Sequence, residues 1–251
     1  MNDIIRTNGL SKSFRRTPVL DDLNLSVTQG SIFGLVGPNG AGKTTTIKIL
    51  MNILKAASGS AEVMGRDSRR LGPAEFTQIG YVSENQEMPE WMTVEYLLRY
   101  LKPFYPSWDD SRATELVRQF DLPPKRKLRN LSRGMWMKTA LAASLAYRPR
   151  LLVLDEPFSG LDPLVREELI EGVLDSASET TILVSSHDLA EIESFASHIG
   201  YLDRGHLRLS EAMSSLTSRF REIEVTLEEP APMAPDTDWP LIGFAPKTLP
   251  R

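Results

Sequence analysis

Ile32-Phe33-Gly34-Leu35-Val36-Gly37-Pro38-Asn39-Gly40-Ala41-Gly42-Lys43-Thr44-Thr45 decides how this chain folds. Its first five residues form a continuous apolar run, which suits a strand buried on both faces. A glycine-rich turn follows at once. Ile47, Ile49, Leu50, Ile53 and Leu54 then recur at helical spacing, predicting a helix that runs up to Ala57. The order is strand, tight loop, helix. Gly37 to Thr44 also reads G-x-x-x-x-G-K-[ST]. Small residues are needed there because backbone N–H groups converge on phosphate oxygens, which a Cβ would obstruct. The helix that follows points its positive end at the same anion. Lys43 then supplies a point charge to the β and γ phosphates, and the Thr44 hydroxyl is a ligand for Mg2+.

Further along, Leu151 to Leu154 is a second buried run, ending in Asp155-Glu156. Carboxylates at the carboxyl end of a parallel strand lie where α/β sheets bind ligands. Asp155 is expected to hold Mg2+, and Glu156 to polarise the attacking water. Taken without the glycine-rich loop, the same pair would read as solvated acids at a strand end.

Around these two runs the pattern predicts strands over Ile4–Phe14 and Leu23–Val27, then Ala61–Met64 and Ile79–Val82. From Thr93 to about Ala146 the character turns helical: Val94–Leu101, then a helix capped by Ser107 or Asp109 carrying Ala113 to Phe120, then Arg133–Tyr147. The strand–helix alternation resumes with Pro163–Leu174 as helix, Thr181–Val184 as strand and Leu189–Phe195 as helix. His198–Asp203 and His206–Leu209 form a hairpin around Arg204-Gly205. The expected architecture is α/β, a mostly parallel core sheet with an α-helical subdomain inserted at about 88–146. Residues 1–215 make this domain. Residues 216–251 make an extension, strand-like over Phe220–Leu227 and then proline-rich, with six of the seventeen prolines after Glu228.

The 251 residues carry 29 Lys+Arg against 33 Asp+Glu, a net charge of −4, so bulk charge does not point to a polyanion partner. With no cysteine, the chain has no disulfide framework, thiolate metal site or cysteine nucleophile. The most apolar stretch, Thr139 to Leu154, is interrupted by Arg148, Pro149 and Arg150, too soon for the ~20 residues a spanning helix needs. The N-terminus has no apolar leader, and the cytoplasm is the expected compartment.

With these motifs in this order, residues 4–215 resemble the ATP-binding cassette (ABC) family, the ATPase subunits of ABC transporters. Leu131-Ser132-Arg133-Gly134-Met135 stands where that family has its LSGGQ signature. Ser159-Gly160-Leu161-Asp162 stands at its D-loop, and His187 at its switch histidine. The resemblance implies a P-loop NTPase core with an N-terminal antiparallel β subdomain, and ATP hydrolysis with Mg2+ held by Thr44, Asp155 and Glu84. Glu156, His187 and Lys43 would be catalytic. It implies nucleotide contacts from Phe14 and Val19 at the base, from Asn39, Gly40, Ala41, Gly42, Lys43, Thr44 and Thr45 at the phosphates, and from Ser132, Gly134 and Asp162 across a head-to-tail dimer. The implied partners are membrane-spanning permease subunits and a second ATPase subunit, identical or different, with the chain peripheral on the inner face of the membrane.

Three positions depart from the family pattern. Arg133 replaces the first signature glycine, Met135 replaces the glutamine, and Glu84 stands where the Q-loop has glutamine. Glu84 remains an oxygen ligand but has no amide to donate. These departures favour a heterodimer in which a partner's consensus signature completes the pocket of Glu156. Met88-Pro89-Glu90-Trp91-Met92 reads as an exposed connector in the region where the family meets its permease, its Trp and Met serving either as core filler or as part of a docking cleft. The single cassette and the Phe104–Asp109 run lean toward export. An ABC ATPase acting on ribosomes or nucleic acid is the alternative, and the co-purifying partner discriminates between them. His198 and His206 carry no motif.

Overall fold

The register of one parallel sheet brings the phosphate loop, Glu84, Asp155-Glu156 and His187 to a common edge. In a computed structural model, which describes residues 2–219, the chain runs β1 (Asp3–Phe14), β2 (Thr17–Leu23), β3 (Ser26–Thr28), β4 (Ile32–Val36), α1 (Lys43–Leu50), β5 (Ser58–Val63), β6 (Arg66–Asp67), α2 (Pro73–Phe76) and β7 (Ile79–Ser83). It continues through α3 (Val94–Leu101), α4 (Asp110–Gln119), α5 (Arg133–Leu145), β8 (Leu151–Asp155), α6 (Pro163–Leu174), β9 (Thr181–Ser186), β10 (His198–Asp203), β11 (His206–Ala212) and α7 (Met213–Arg219). The main sheet has the order β11-β10-β4-β9-β8-β7, parallel from β10 to β7, with β11 antiparallel at its edge. A second, antiparallel sheet has the order β2-β1-β5-β6, with β3 also pairing with β1.

All five residues of β4 are buried, and alternation sends them to two different cores. Phe33 and Leu35 join Ile47 and Leu50 of α1 and the inward face of the antiparallel sheet, including Ile5, Leu10 and Val63. Ile32 and Val36 join Met137 and Leu141 of α5 and Leu169 and Val173 of α6. The main sheet is therefore covered on both faces, which is why its strands read as unbroken apolar runs.

Helices α3 to α5 lie in the chain between the neighbouring strands β7 and β8. Each is capped by the residue before it: Thr93, Asp109 and Ser132 accept from the N–H of Tyr96, Arg112 and Met135. Asp109 is thus the cap of α4, and Ser107 instead donates to the Tyr147 carbonyl.

Several expected elements differ. The strand expected over Leu23–Val27 is broken, because the Thr7 hydroxyl donates to Leu23 O and accepts from Leu25 N, drawing the chain off the ladder between β2 and β3. Thr17–Leu23 is a strand that the sequence pattern did not suggest. Helix α1 stops at Leu50, where Asn52 turns left-handed with φ 56° and the amides of Ile53 and Leu54 close onto Lys48 O. The helix expected at Leu189–Phe195 is a single 3-10 turn over Leu189–Glu191. Glu191 is drawn inward to Ser186 and Arg166, and Ile192 and Phe195 reach the core from turns. Met88 and Met92 are buried and Trp91 alone of that trio is exposed. Helix α7 crosses residue 215, and the strand expected at Phe220–Leu227 and the proline-rich stretch lie outside the described residues.

Candidate nucleotide site

The carboxyl ends of four adjacent strands are level. Ser83 of β7 is paired with Asp155 of β8, Asp155 with Ser185 of β9, and Ser186 of β9 with Val36 of β4. The residue that leaves each strand therefore emerges on one edge: Glu84, Glu156, His187 and Gly37. Cross-links fix these exits. Glu84 N donates to Asp155 O at 3.0 Å, Gly37 N to Ser186 O at 3.2 Å, and Glu156 N to the Ser185 hydroxyl at 3.0 Å. Glu156 takes a left-handed turn, φ 53°, which redirects its side chain from the strand direction toward the loop after β4.

That loop is built around Gly42. Its φ is 112°, and a Cβ there would stand 2.5 Å from Leu20 Cδ2 and 3.0 Å from Val19 O. Val19 is thereby placed against the base of the loop. The turn at Arg204-Gly205 braces the same place, with Gly205 N donating to Ala41 O and Asp21 N to Gly205 O. Pro38, Asn39 and Gly40 form the exposed tip, while Ala41, Gly42 and Lys43 are buried and Thr45 is half-buried.

Lys43 folds back beneath the loop. Its ammonium donates to Gly37 O at 2.5 Å and Pro38 O at 3.2 Å, and lies 3.1 Å from Glu156 Oε1. The second Glu156 oxygen lies 2.9 Å from His187 Nδ1. One carboxylate thus bridges the lysine and the histidine. The Glu156 hydrogen bond raises the His187 pKa above its ordinary value, against a smaller opposing effect of burial and of Lys43.

Asp155 is 4% exposed and accepts from Ser185 Oγ at 2.8 Å and from Thr44 Oγ1 at 3.0 Å. Burial raises its pKa, and the two hydroxyls oppose that shift. No group of three or more His, Cys, Asp or Glu poised for a metal exists among the described residues. A metal here would take the Thr44 hydroxyl and the Asp155 carboxylate plus oxygens from elsewhere, a hard-oxygen donor set that fits Mg2+.

Other expected contact residues stand apart. Phe14 is 45% exposed at the tip of the β1–β2 hairpin, with Lys12 Nζ 5.2 Å from its ring centroid. Ser132 caps α5 and Asp162 caps α6, accepting from Val165 N at 3.1 Å. Gly134 sits so close to α6 that a Cβ would be 2.7 Å from Val165 Cγ1. Among the described residues, Ser132, Gly134 and Asp162 make no hydrogen bond to the loop at 37–44. Arg133 pairs instead with Glu84, Nη2 to Oε1 at 2.5 Å. Sequence reasoning missed Ser185, which holds both Asp155 and the Glu156 amide, and the Ser186–Glu191–Arg166 group next to His187, in which Ser186 and Glu191 are buried and Arg166 is half-buried. Two serines ending an otherwise apolar strand were the available signal.

Comparison with known proteins agrees with this geometry. The model of the family described as ABC transporter matches residues 20–159. The ABC transporter ATP-binding protein YtrB of Bacillus subtilis is 32% identical, over 90% of this chain and 77% of that protein. The bacitracin transport ATP-binding protein BcrA of Enterococcus faecalis is 32% identical over 88% of this chain and 73% of its own length. A solved structure of an ATP-binding subunit of an ABC transporter superposes with a TM-score of 0.78 at 27% identity, covering 86% of this chain and 92% of that one. With the level strand ends, the glycine loop and these matches together, the chain belongs to the ABC transporter family, as an ATP-binding subunit with ATPase activity.

Proposed function

We propose that Lys43, Glu156 and His187 form the catalytic centre with which this subunit hydrolyses ATP to power a transport step, leaning to export, through separate membrane-spanning permease subunits. The observation that carries this reading is the doubly engaged Glu156 carboxylate, held by Lys43 and His187 beside the Gly37–Gly42 loop. An incoming β,γ-phosphate offers Lys43 a better partner than one carboxylate and two carbonyls. Lys43 turns to it, and Glu156 Oε1 is released to accept a proton from the attacking water. His187, still oriented by Oε2, faces the γ-phosphate and steadies the charge that builds there. The loop amides from Asn39 to Thr45 hold the remaining phosphate oxygens, and Phe14 and Val19 receive the base.

Thr44 and Asp155 would hold magnesium, with Glu84 as a third oxygen donor on the adjoining strand end, and the ion would supply charge neutralisation at the phosphates. Ser132 and Gly134 at the start of α5, with Asp162, are assigned to the ATP of a second ATPase subunit in a head-to-tail dimer. That the Ser132 and Asp162 side chains serve as caps in this protomer is compatible with the role, since a capped helix start still presents its N–H groups outward.

No helix among the described residues is long and apolar enough to cross a membrane. In this reading separate permease subunits supply the path, and the chain sits peripherally on the inner face of the cell membrane. Relatives named for bacitracin and lantibiotic transport support a transport reading over one on ribosomes or nucleic acid. The test is affinity purification from the native host's detergent-solubilised membranes with an ATPase assay. A multi-span permease that co-purifies and stimulates ATPase supports the reading; a ribosome or nucleic acid in its place overturns it. Light scattering of Glu156→Gln protein with ATP separates homodimer from heterodimer, because a tight homodimer removes the need for a different partner subunit.

A further inference from the structure

Two of the three departures from the family pattern meet each other in space. Glu84 and Arg133 are 49 residues apart, yet Arg133 Nη2 donates to Glu84 Oε1 at 2.5 Å. The guanidinium also lies over Gly160, where a Cβ would come within 2.7 Å of Arg133 Nη1. One side chain thus joins three segments: the exit of β7, the start of α5, and the loop between β8 and α6.

The backbones at both ends of this pair are fixed. Glu84 N is tied to Asp155 O, and the backbone at Gly134 is packed against Val165 of α6. Only the two side-chain arms are free to exchange partners. Glu84 is 32% and Arg133 50% exposed, so the pair is solvent-weighted and a bias of only a few-fold. A carboxylate oxygen engaged by a guanidinium is not available to a metal, so the two uses of Glu84 compete.

We propose that the Glu84–Arg133 ion pair is a latch of the nucleotide-free protomer that withholds the Glu84 carboxylate from magnesium and opens when magnesium–ATP arrives. This rests on the reading of Glu84 as a magnesium ligand. Arg133 acts here through Glu84 and is a positioning residue.

The test uses the full chain, a fluorescent ATP analogue titrated with Mg2+ or with EDTA, and hydrogen exchange without nucleotide. In Arg133→Ala, amides at 159–161, which lose the guanidinium packed over Gly160, exchange faster, while the Glu84 amide, tied to Asp155 O, is unchanged. The Mg2+ concentration that half-saturates tight analogue binding falls about two- to fivefold. Binding in EDTA is unchanged. In a Glu84→Gln background the same Arg133→Ala change has no effect on the Mg2+ midpoint. A raised midpoint in Arg133→Ala overturns the latch, because Arg133 then orients Glu84 toward the metal. An equal shift in the Gln background also overturns it, because Arg133 then acts elsewhere. If Glu84→Gln by itself leaves the midpoint where it was, the ligand reading of Glu84 fails and the latch fails with it. If Glu84→Gln moves the midpoint and Arg133→Ala does not, the latch alone fails.

Discussion

Lys43 Nζ and Glu156 Oε1 lie 3.1 Å apart, joining the loop after β4 to the end of β8 across the intervening strand β9. Lys43 is 5% and Glu156 12% exposed, so this contact is shielded from solvent in a way that surface pairs are not. It holds the carboxylate beside the phosphate loop.

Replacing that carboxylate separates binding from chemistry. Glu156→Gln keeps the side-chain size but removes the proposed base and the charged competitor for Lys43. Hydrolysis is expected to fall by about 10²–10⁴, with ATP affinity equal to or tighter than that of the unmodified protein. Phosphate release and equilibrium binding check the two halves. A variant that loses both to the same degree would show that Glu156 holds the loop's shape rather than the water.

His187 makes the same carboxylate pH-sensitive. Its folded pKa is raised above its unfolded value by Glu156. The pair therefore contributes its full stability below pH about 6.5 and loses it as pH climbs through the raised value. His187 is 42% exposed, which limits the effect to about 1 kcal/mol or less, or roughly 2–4 °C in Tm for a chain of this size. The Tm gap between the unmodified protein and His187→Ala should shrink as pH rises from 6 to 8. A gap that stays flat or widens would contradict the assigned pairing.

Two loop glycines give a matched contrast. Gly42→Ala forces a Cβ to 2.5 Å from Leu20 Cδ2 at φ 112° and is expected to cost about 1–3 kcal/mol, with at least about a tenfold loss of ATP affinity as the amides rotate. Gly40 also has a positive φ, 81°, but nothing lies within 4 Å of its would-be Cβ. Gly40→Ala should cost about 1–2 kcal/mol of strain without displacing β2. Denaturant melts and nucleotide titrations on both variants check the ranking; equal losses would remove the role given to Leu20 and Val19.

The site was legible where its chemistry is local. The phosphate loop, Asp155-Glu156 and His187 each directly follow a buried strand, and parallel register alone brings them to one edge. What stayed hidden depends on partners distant in sequence. The Glu84–Arg133 pair, Ser185 under Asp155 and the Glu191–Arg166 contact each join two elements whose adjacency no period reveals. Local misreadings have similar causes. Leu189–Phe195 has helical spacing, but a buried Glu191 carboxylate outweighs the propensity of seven residues. Helix α1 was over-extended because Ile53 and Leu54 continue its spacing past the left-handed Asn52, and Ile53 ends up 55% exposed.

An exposed aromatic row runs from Trp91 along α3. Trp91 is 62% exposed, and its ring centroid is 5.5 Å from that of Tyr96; Tyr100 and Phe104 continue the row one and two turns further on, their centroids 5.6 Å apart. The segment bearing Trp91 is pinned from beneath: Arg129 N donates to Glu90 O, Leu128 N to Met92 O, and Met88 and Met92 are anchored in the core. The backbone is therefore rigid while the indole faces outward, an arrangement that gains nothing for folding and suits a permease contact. Trp91→Ala should leave stability within about 0.5 kcal/mol and leave the ATPase of the isolated subunit within about twofold, since Trp91 touches neither Lys43, Glu156 nor His187. Permease-stimulated ATPase and transport in vesicles should fall by about tenfold or more if the indole is a central anchor worth about 1–2 kcal/mol or more. Unchanged vesicle transport would return Trp91 to the ordinary exposed aromatics of a protein surface.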